Sequence, residues 1–283
     1  MGPTKRTLPH SPPMRNDDPA LVLLRGGGDL ASGVALRLHR AGVGVVMAEL
    51  EEPLAVRRAV SFAEAIYEGQ HTVEGVRARR SDPDQIPAVL AAGEIPVLVD
   101  PTASVLHSAL PFPVVVDARL IKAPPDPLPV QVPLHVGLGP GFQAGVNCHA
   151  VVETRRSHTL GRLYWEGATQ PDSGQPEGDL RRVLRAPASG RLLPKAEIGD
   201  HVEEGQVLAL IGDQHPVISA LNGVLRGIAR EGLQVTRGMK IGDVDPRNDR
   251  EACFLVSDKA LAIGGAVLEA ILTNEEIRGK LWR

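Results

Sequence analysis

The sequence predicts an α/β protein: a mostly parallel sheet, then a small all-β unit and a closing C-terminal helix. Three observations carry this. Short apolar runs recur at 20–24, 43–49, 95–99, 114–116 and 134–138; the first is closed by Arg25 and a glycine loop, the others by glycine or an acidic residue. A short, mainly apolar run of this kind marks a strand buried on both faces. The second observation is a stretch of helical periodicity between the first two runs. The third is an internal repeat in the C-terminal third of the chain.

Taken in order, residues 1–19 are polar and Pro-rich and read as a disordered tail. The first strand ends at Arg25, and Gly26–Gly28 and Asp29 follow. From Leu30 a helix is expected, with Val34, Leu38 and Ala41 on one face and Gly42 ending it. The second strand ends at Glu49, and a short helix is expected around Leu54–Arg58. Residues 65–79 alternate around turn glycines, which suggests a hairpin. Asp82 and Pro83 have the N-cap and N1 chemistry of a helix running to Ala92. Three more strands end at Asp100, at Asp117 and in the loop Gly139–Gly141. Strands alternating with helices in this way predict a Rossmann-like sheet over 20–165, with helices on both faces. Residues 166–182 are polar and read as a linker or surface loop.

The repeat has a period of 33: Gly190, Gly199, Val202 and Gly205 recur as Gly223, Gly232, Val235 and Gly238. Neither copy alone buries its apolar face, so the two are expected to pack about a pseudo-dyad. Residues 183–246 resemble the barrel-sandwich hybrid of biotinyl and lipoyl carrier domains. Those carriers hold an acceptor lysine on the hairpin joining the halves. Here that joint, Leu210–Ile218, has no lysine, and Lys195 and Lys240 fall inside the repeat units. No covalent biotin or lipoate is therefore expected. Ser257 is the expected N-cap of the final helix in 247–283, and Gly264 and Gly265 should admit a close neighbour.

A net charge of −3 gives no global pull towards nucleic acid or anionic lipid, and neither partner is expected. No apolar run approaches the ~18 residues of a membrane span. The N-terminus has no apolar core of a secretory signal. Cys148 and Cys253 form no C-x-x-C motif, which fits a reducing, cytoplasmic setting.

In an open parallel sheet, loops at the carboxyl ends of strands share one edge. Residues 26–29, 49–52, 100–102, 117–119 and 139–141 should therefore rim one crevice. Gly26, Gly28 and Asp29 fit a strand–glycine–helix dinucleotide fingerprint, with Glu49 placed for a ribose hydroxyl. The alternative is a tight turn without a ligand. Asp29 speaks against a bare pyrophosphate, unless it caps the helix or holds a cation. Arg119 either grips an anion or pairs with Asp117 or Asp100. Gly139 and Gly141 offer backbone amides to an anion or form a plain connection. Cys148 is either a packing residue or a thiolate, and His149 a proton carrier beside it. On a straight strand the two point to opposite faces, and no metal site is expected.

The phrases RGGGDLASGVALRLHRAG, VVVDARLIK, VGLGPGFQAGVNCHAVVETRRSHTLGRLYW and SDKALAIGGAVLEAIL resemble the selenium-dependent molybdenum hydroxylase system protein family of YqeB type. The N-terminal part is also similar to the Rossmann domain of XdhC/CoxI accessory factors. The resemblance implies an accessory protein for molybdenum hydroxylases that takes part in cofactor maturation or insertion. It would bind a small phosphorylated ligand, a molybdopterin-type cofactor or nucleotide, in the crevice. Its protein partners would be a hydroxylase or the maturation proteins. Cys148 would handle sulfur or selenium. An NAD(P)-dependent oxidoreductase and a non-catalytic docking scaffold remain as alternatives.

Overall fold

The computed structural model describes residues 20–174 and 178–281. The tail expected at 1–19 lies outside the described residues, as do 175–177 of the expected linker and 282–283 at the end of the chain.

The first part of the chain contains strands β1 (Leu21–Arg25), β2 (Gly44–Glu49), β3 (Gln70–Val73), β4 (Val76–Arg80), β5 (Ile95–Val99), β6 (Val114–Asp117), β7 (Leu134–Leu138), β8 (Gln143–Ala144), β9 (Ala150–Val152), β10 (Leu163–Tyr164) and β11 (Gly167–Ala168). Helices α1 (Asp29–Arg40), α2 (Ala65–Glu68) and α3 (Ile86–Ala91) lie between them. Nine strands join in one mixed sheet, ordered β10-β9-β7-β6-β1-β2-β5-β4-β3. Pairings through the middle are parallel, from β9 to β4. Both edges are antiparallel, through β3 on β4 and β10 on β9. β8 and β11 make a separate two-stranded sheet.

Every residue of β1 is buried because both sheet faces are covered. Val22 and Leu24 join the core under α1, with Phe62 and Ile66. Leu21 and Leu23 face the other way, against Ile86, Val105 and Phe112. The second face is covered mainly by loops and by α3, six residues long. Asp82 and Gln85 form a reciprocal capping box at the entry to that helix.

The second part contains β12 (Val183–Arg185), β13 (Gly190–Pro194), β14 (His201–Val202), β15 (Val207–Ile211), β16 (His215–Ile218), β17 (Gly223–Ile228), β18 (Gln234–Val235) and β19 (Lys240–Asp245). These form two antiparallel sheets of four strands, β12-β19-β17-β14 and β16-β15-β13-β18. The 33-residue repeat shows as an exchange: β14 of the first copy pairs with β17 of the second, and β18 of the second with β13 of the first. Apolar residues of both copies, Leu192, Leu208, Leu225 and Ile241 among them, share one core.

The expected Rossmann-like sheet followed by a carrier-type barrel-sandwich hybrid is thus corrected to one large mixed sheet with separate antiparallel sheets. The physical reasons are specific. The Glu74–Gly75 turn, with positive φ at both residues, folds β3 back on β4 and makes that edge antiparallel. The other edge closes with β10, and helices of more than two turns lie on one face alone among the described residues. Leu54–Arg57 is irregular where a helix was expected, with 3₁₀ turns only from Arg58.

The chain closes with α4 (Asp258–Leu272) and α5 (Glu275–Leu281). The Ser257 hydroxyl caps α4 by accepting from the Ala260 N–H at 3.2 Å. α4 crosses α1 at very close range. A Cβ on Gly33 would stand 2.6 Å from Ala260, and one on Gly264 would stand 2.8 Å from the Gly33 carbonyl. Gly265, by contrast, faces open space.

One short segment fastens the two parts together. Arg58 Nε donates to the Ile228 carbonyl at 2.8 Å. Arg230 donates to Glu64 at 2.8 Å and lies over the Tyr67 ring. Arg57 donates to the carbonyls of Ala252 and Leu255.

Candidate functional site

Four of the five strand-end breaks line one cavity of about 540 Å³: Gly26–Asp29, Glu49 with Leu50, Asp100 with Pro101, and Ala118 with Arg119. The fifth does not reach it, and only Pro140 of that loop lines an adjoining cavity.

The glycine loop is largely satisfied from within. Gly26 N–H donates to the Ala48 carbonyl at 2.8 Å, and Gly27 N–H donates to Glu49 Oε2 at 2.5 Å. Gly26 has φ +101°, and a Cβ there would press on Ala118 backbone at 3.3 Å. Gly28 has open space beside it and precedes α1 without a side-chain cap. Asp29 opens α1 and lies 3.7 Å from Arg57.

Glu49 is held by two amides, because Leu50 N–H donates to Oε1 at 2.7 Å. Burial raises its pKa against the pull of both amides. The floor of the cavity is a closed ion pair network. Asp117 is fully buried and accepts from Arg25 at 3.2 Å and from Arg119 at 2.9 and 2.7 Å. The bond to Asp117 raises the Arg119 pKa, so its fork is spent on Asp117 rather than free for an anion. Asp100 turns inward and caps its own loop through the N–H groups of Ser104 and Val105. Leu50 and Leu54 flank this polar floor and remain exposed at the cavity mouth.

Gly139 and Gly141 serve packing. A Cβ on Gly139 would meet Thr154 Oγ1 at 2.7 Å, and one on Gly141 would meet the Ile121 carbonyl at 2.6 Å. Cys148 and His149 precede β9 rather than lying in a straight strand, and neither lines the two cavities. Cys148 is buried with Phe142 and Val151, and burial pushes its thiol up to about 11. His149 Nδ1 accepts from the His135 N–H at 2.8 Å. Burial depresses the His135 pKa to about 4, and its Nε2 has no partner. Among the described residues no cluster of three His, Cys, Asp or Glu side chains could hold a metal ion.

The adjoining cavity, about 720 Å³, lies along the seam between the mixed sheet and the antiparallel sheets. The two cavities share Asp29, Arg57, Leu120 and Lys240. Arg57, Arg182 and Arg226 line the second and were not singled out in the sequence. They come from three distant segments, so no local spacing could flag them. One signal was present: Arg226 interrupts the apolar strand GVLRGI.

No family model matches the chain. It is 46% identical over 257 residues to an Escherichia coli (strain K12) protein described as "Uncharacterized protein YqeB". That match covers 89% of this chain and 47% of the relative, so the chain spans about half the relative's length. Solved structures that align include an aspartoacylase family protein from Mesorhizobium loti, at 11% identity and TM-score 0.25, covering 82% of this chain and 86% of that one. The product-bound ectoine utilization protein EutE (DoeB) from Ruegeria pomeroyi aligns at 14% and 0.25, covering 82% and 86%. A succinylglutamate desuccinylase/aspartoacylase from Rhodobacter sphaeroides aligns at 16% and 0.26, covering 80% and 85%. Scores this low transfer neither fold nor activity.

These findings correct the expectation of a molybdenum hydroxylase accessory protein. The similar curated protein is described only as uncharacterized, which gives that expectation no support. The expected molybdopterin or nucleotide ligand falls with it. Two of the loop's amides are already bonded within the protein, and Glu49 and Asp29 set two carboxylates where a phosphate would have to lie. No helix of the described residues is long and apolar enough to cross a membrane.

Proposed function

We propose that this protein binds a small organic molecule in the strand-end cavity, with Glu49 accepting a hydrogen bond from a hydroxyl or amino group of the ligand. The supporting observation is the setting of Glu49. Each of its oxygens accepts one amide, which fixes the carboxylate in place beside the cavity with lone pairs to spare. Exposed Leu50 and Leu54, with Ile121, offer an apolar wall for a carbon skeleton. Apolar side chains beside convergent polar groups are a usual build of a small-molecule site. Cys148 and His149 take no part in this reading. A cytoplasmic location belongs to the proposal, and the two free, buried cysteines suit a reducing compartment.

The test begins with native mass spectrometry of the protein purified from its own host, to identify a co-bound molecule. That molecule is then titrated by calorimetry into the wild type and Glu49→Gln, with melting temperature as a fold check. The substitution puts an NH₂ donor where an acceptor oxygen stood. Affinity should fall about tenfold or more, the scale of one hydrogen bond to a charged group. Equal binding by folded Glu49→Gln would overturn the proposal.

A further inference from the structure

We propose that the seam cavity is an oxyanion site, held chiefly by Arg57 and Arg226 with Arg182 at its edge. The three side chains reach it from separate parts of the chain. Arg57 follows β2, Arg182 precedes β12, and Arg226 lies within β17. Arg57 is only 8% exposed, yet its Nε and Nη1 have no hydrogen-bond partner. The Nε atoms of Arg182 and Arg226 are buried and unpartnered as well.

The carboxylates nearby do not meet this demand. Asp243 accepts from Arg182 at 2.9 and 3.2 Å and stands 3.6 Å from Arg226. Asp245 is committed to Arg247 by two guanidinium bonds, at 2.9 and 2.6 Å, and by the Arg247 N–H at 3.1 Å, and stands 3.8 Å from Arg226. Asp29 is 3.7 Å from Arg57. Each of these distances to Arg57 or Arg226 allows attraction but is too long for a hydrogen bond. Burial first, and then the like charge of Arg226, lowers the Arg57 pKa. Eight basic side chains line the cavity against five acidic ones.

Buried guanidinium N–H groups without acceptors are costly, and native proteins rarely leave them so. A carboxylate or tetrahedral oxyanion supplies two or more acceptor oxygens and the missing negative charge, in the planar geometry a guanidinium fork matches. A bridging water would fill the N–H groups but leave the charge. The inference does not rest on the strand-end reading: Glu49 does not line the seam cavity, although Arg57 lines both.

The test uses the full chain at low ionic strength. Sulfate, inorganic phosphate and citrate are each titrated by calorimetry and by thermal melting, with chloride at matched ionic strength as the control. At least one oxyanion should bind saturably and raise the melting temperature above the chloride control. Tetrahedral and carboxylate classes are told apart by which one wins. Arg226→Gln should weaken that binding by about tenfold or more, as loss of a charged hydrogen-bonding partner does. Lys195→Gln, at an exposed position away from the cavity, should bind as the wild type does. Arg57→Gln should match Arg226→Gln. If loss of its bonds to Ala252 and Leu255 prevents folding, Arg226→Gln alone decides. No stabilisation beyond chloride, or wild-type affinity in Arg226→Gln, would overturn the proposal, and an effect of Glu49→Gln on anion binding would contradict the independence of the two sites.

Discussion

The floor of the strand-end cavity and the seam beside it are built from the same side chains, arginine and aspartate, and differ in how the charges are matched. On the floor one buried aspartate, Asp117, receives three guanidinium bonds from Arg25 and Arg119. At the seam the geometry reverses: Asp243 and Asp245 bond Arg182 and Arg247 and stand 3.6 and 3.8 Å from Arg226, beyond hydrogen-bond reach. A closed network holds loops in place. An open one leaves donors that want an acceptor. The contrast teaches that arginine count says little about a site until the carboxylates serving it are located.

The contrast breaks most sharply at Asp117. Removing its charge strands Arg25 in the core, and Asp117→Ala should cost about 3–5 kcal/mol in denaturant unfolding. A loss below about 1 kcal/mol would mean that water reaches the floor and that the network is not closed. Next is acid. His135 lies near that floor, buried and neutral, titrating at about 4 in the folded chain and near 6.5 when unfolded. The unfolded chain therefore takes up the proton first. Stability is full above pH 6.5 and declines as the pH falls towards 4, by up to about 3 kcal/mol. Urea midpoints measured across that range should show the decline, and it should shrink in His135→Leu.

A third measurement concerns the glycine loop that forms the rim. Gly26→Ala forces a side chain onto φ +101° and against Ala118, and should cost about 1–3 kcal/mol. Gly28→Ala meets open space and should cost about 1 kcal/mol or less. Equal costs would show that the loop is not held as described. The smallest effect belongs to the seam. Without a bound anion, Arg226→Gln relieves like-charge crowding, so its stability should stay within about 1 kcal/mol of wild type. A large loss there would move the seam into the same class as the floor.

Local chemistry was legible in the sequence where it acts over a few residues. The strand-end breaks at Arg25–Asp29, Glu49, Asp100 and Asp117, the Ser257 cap and the Asp82 entry to a helix all follow from side chains next to one another. Edge pairing was not legible in the same way. Apolar periodicity shows which faces are buried, but not whether the outermost neighbour runs parallel or antiparallel. The β3–β4 edge was legible only through the hairpin suggested at 65–79, where a tight turn joins the two strands, whereas the antiparallel β10 edge escaped the reading. Arg119 illustrates the limit at a site. Its sequence position fits an anion grip and a pair with Asp117 equally, and the choice depends on Arg25, 94 residues away in the chain. The seam is harder still, because Arg57, Arg182 and Arg226 meet only once the antiparallel sheets pack on the segment after β2.

The exchanged strands of the repeat carry a consequence for how the molecule is made. β13 and β14 leave the ribosome well before β17 and β18, the strands that complete them. A nascent chain that has released only the first copy presents open hydrogen-bonding edges and half of a shared interior. Two such chains, each halted at the same point, would find in one another the complement that the second copy normally supplies.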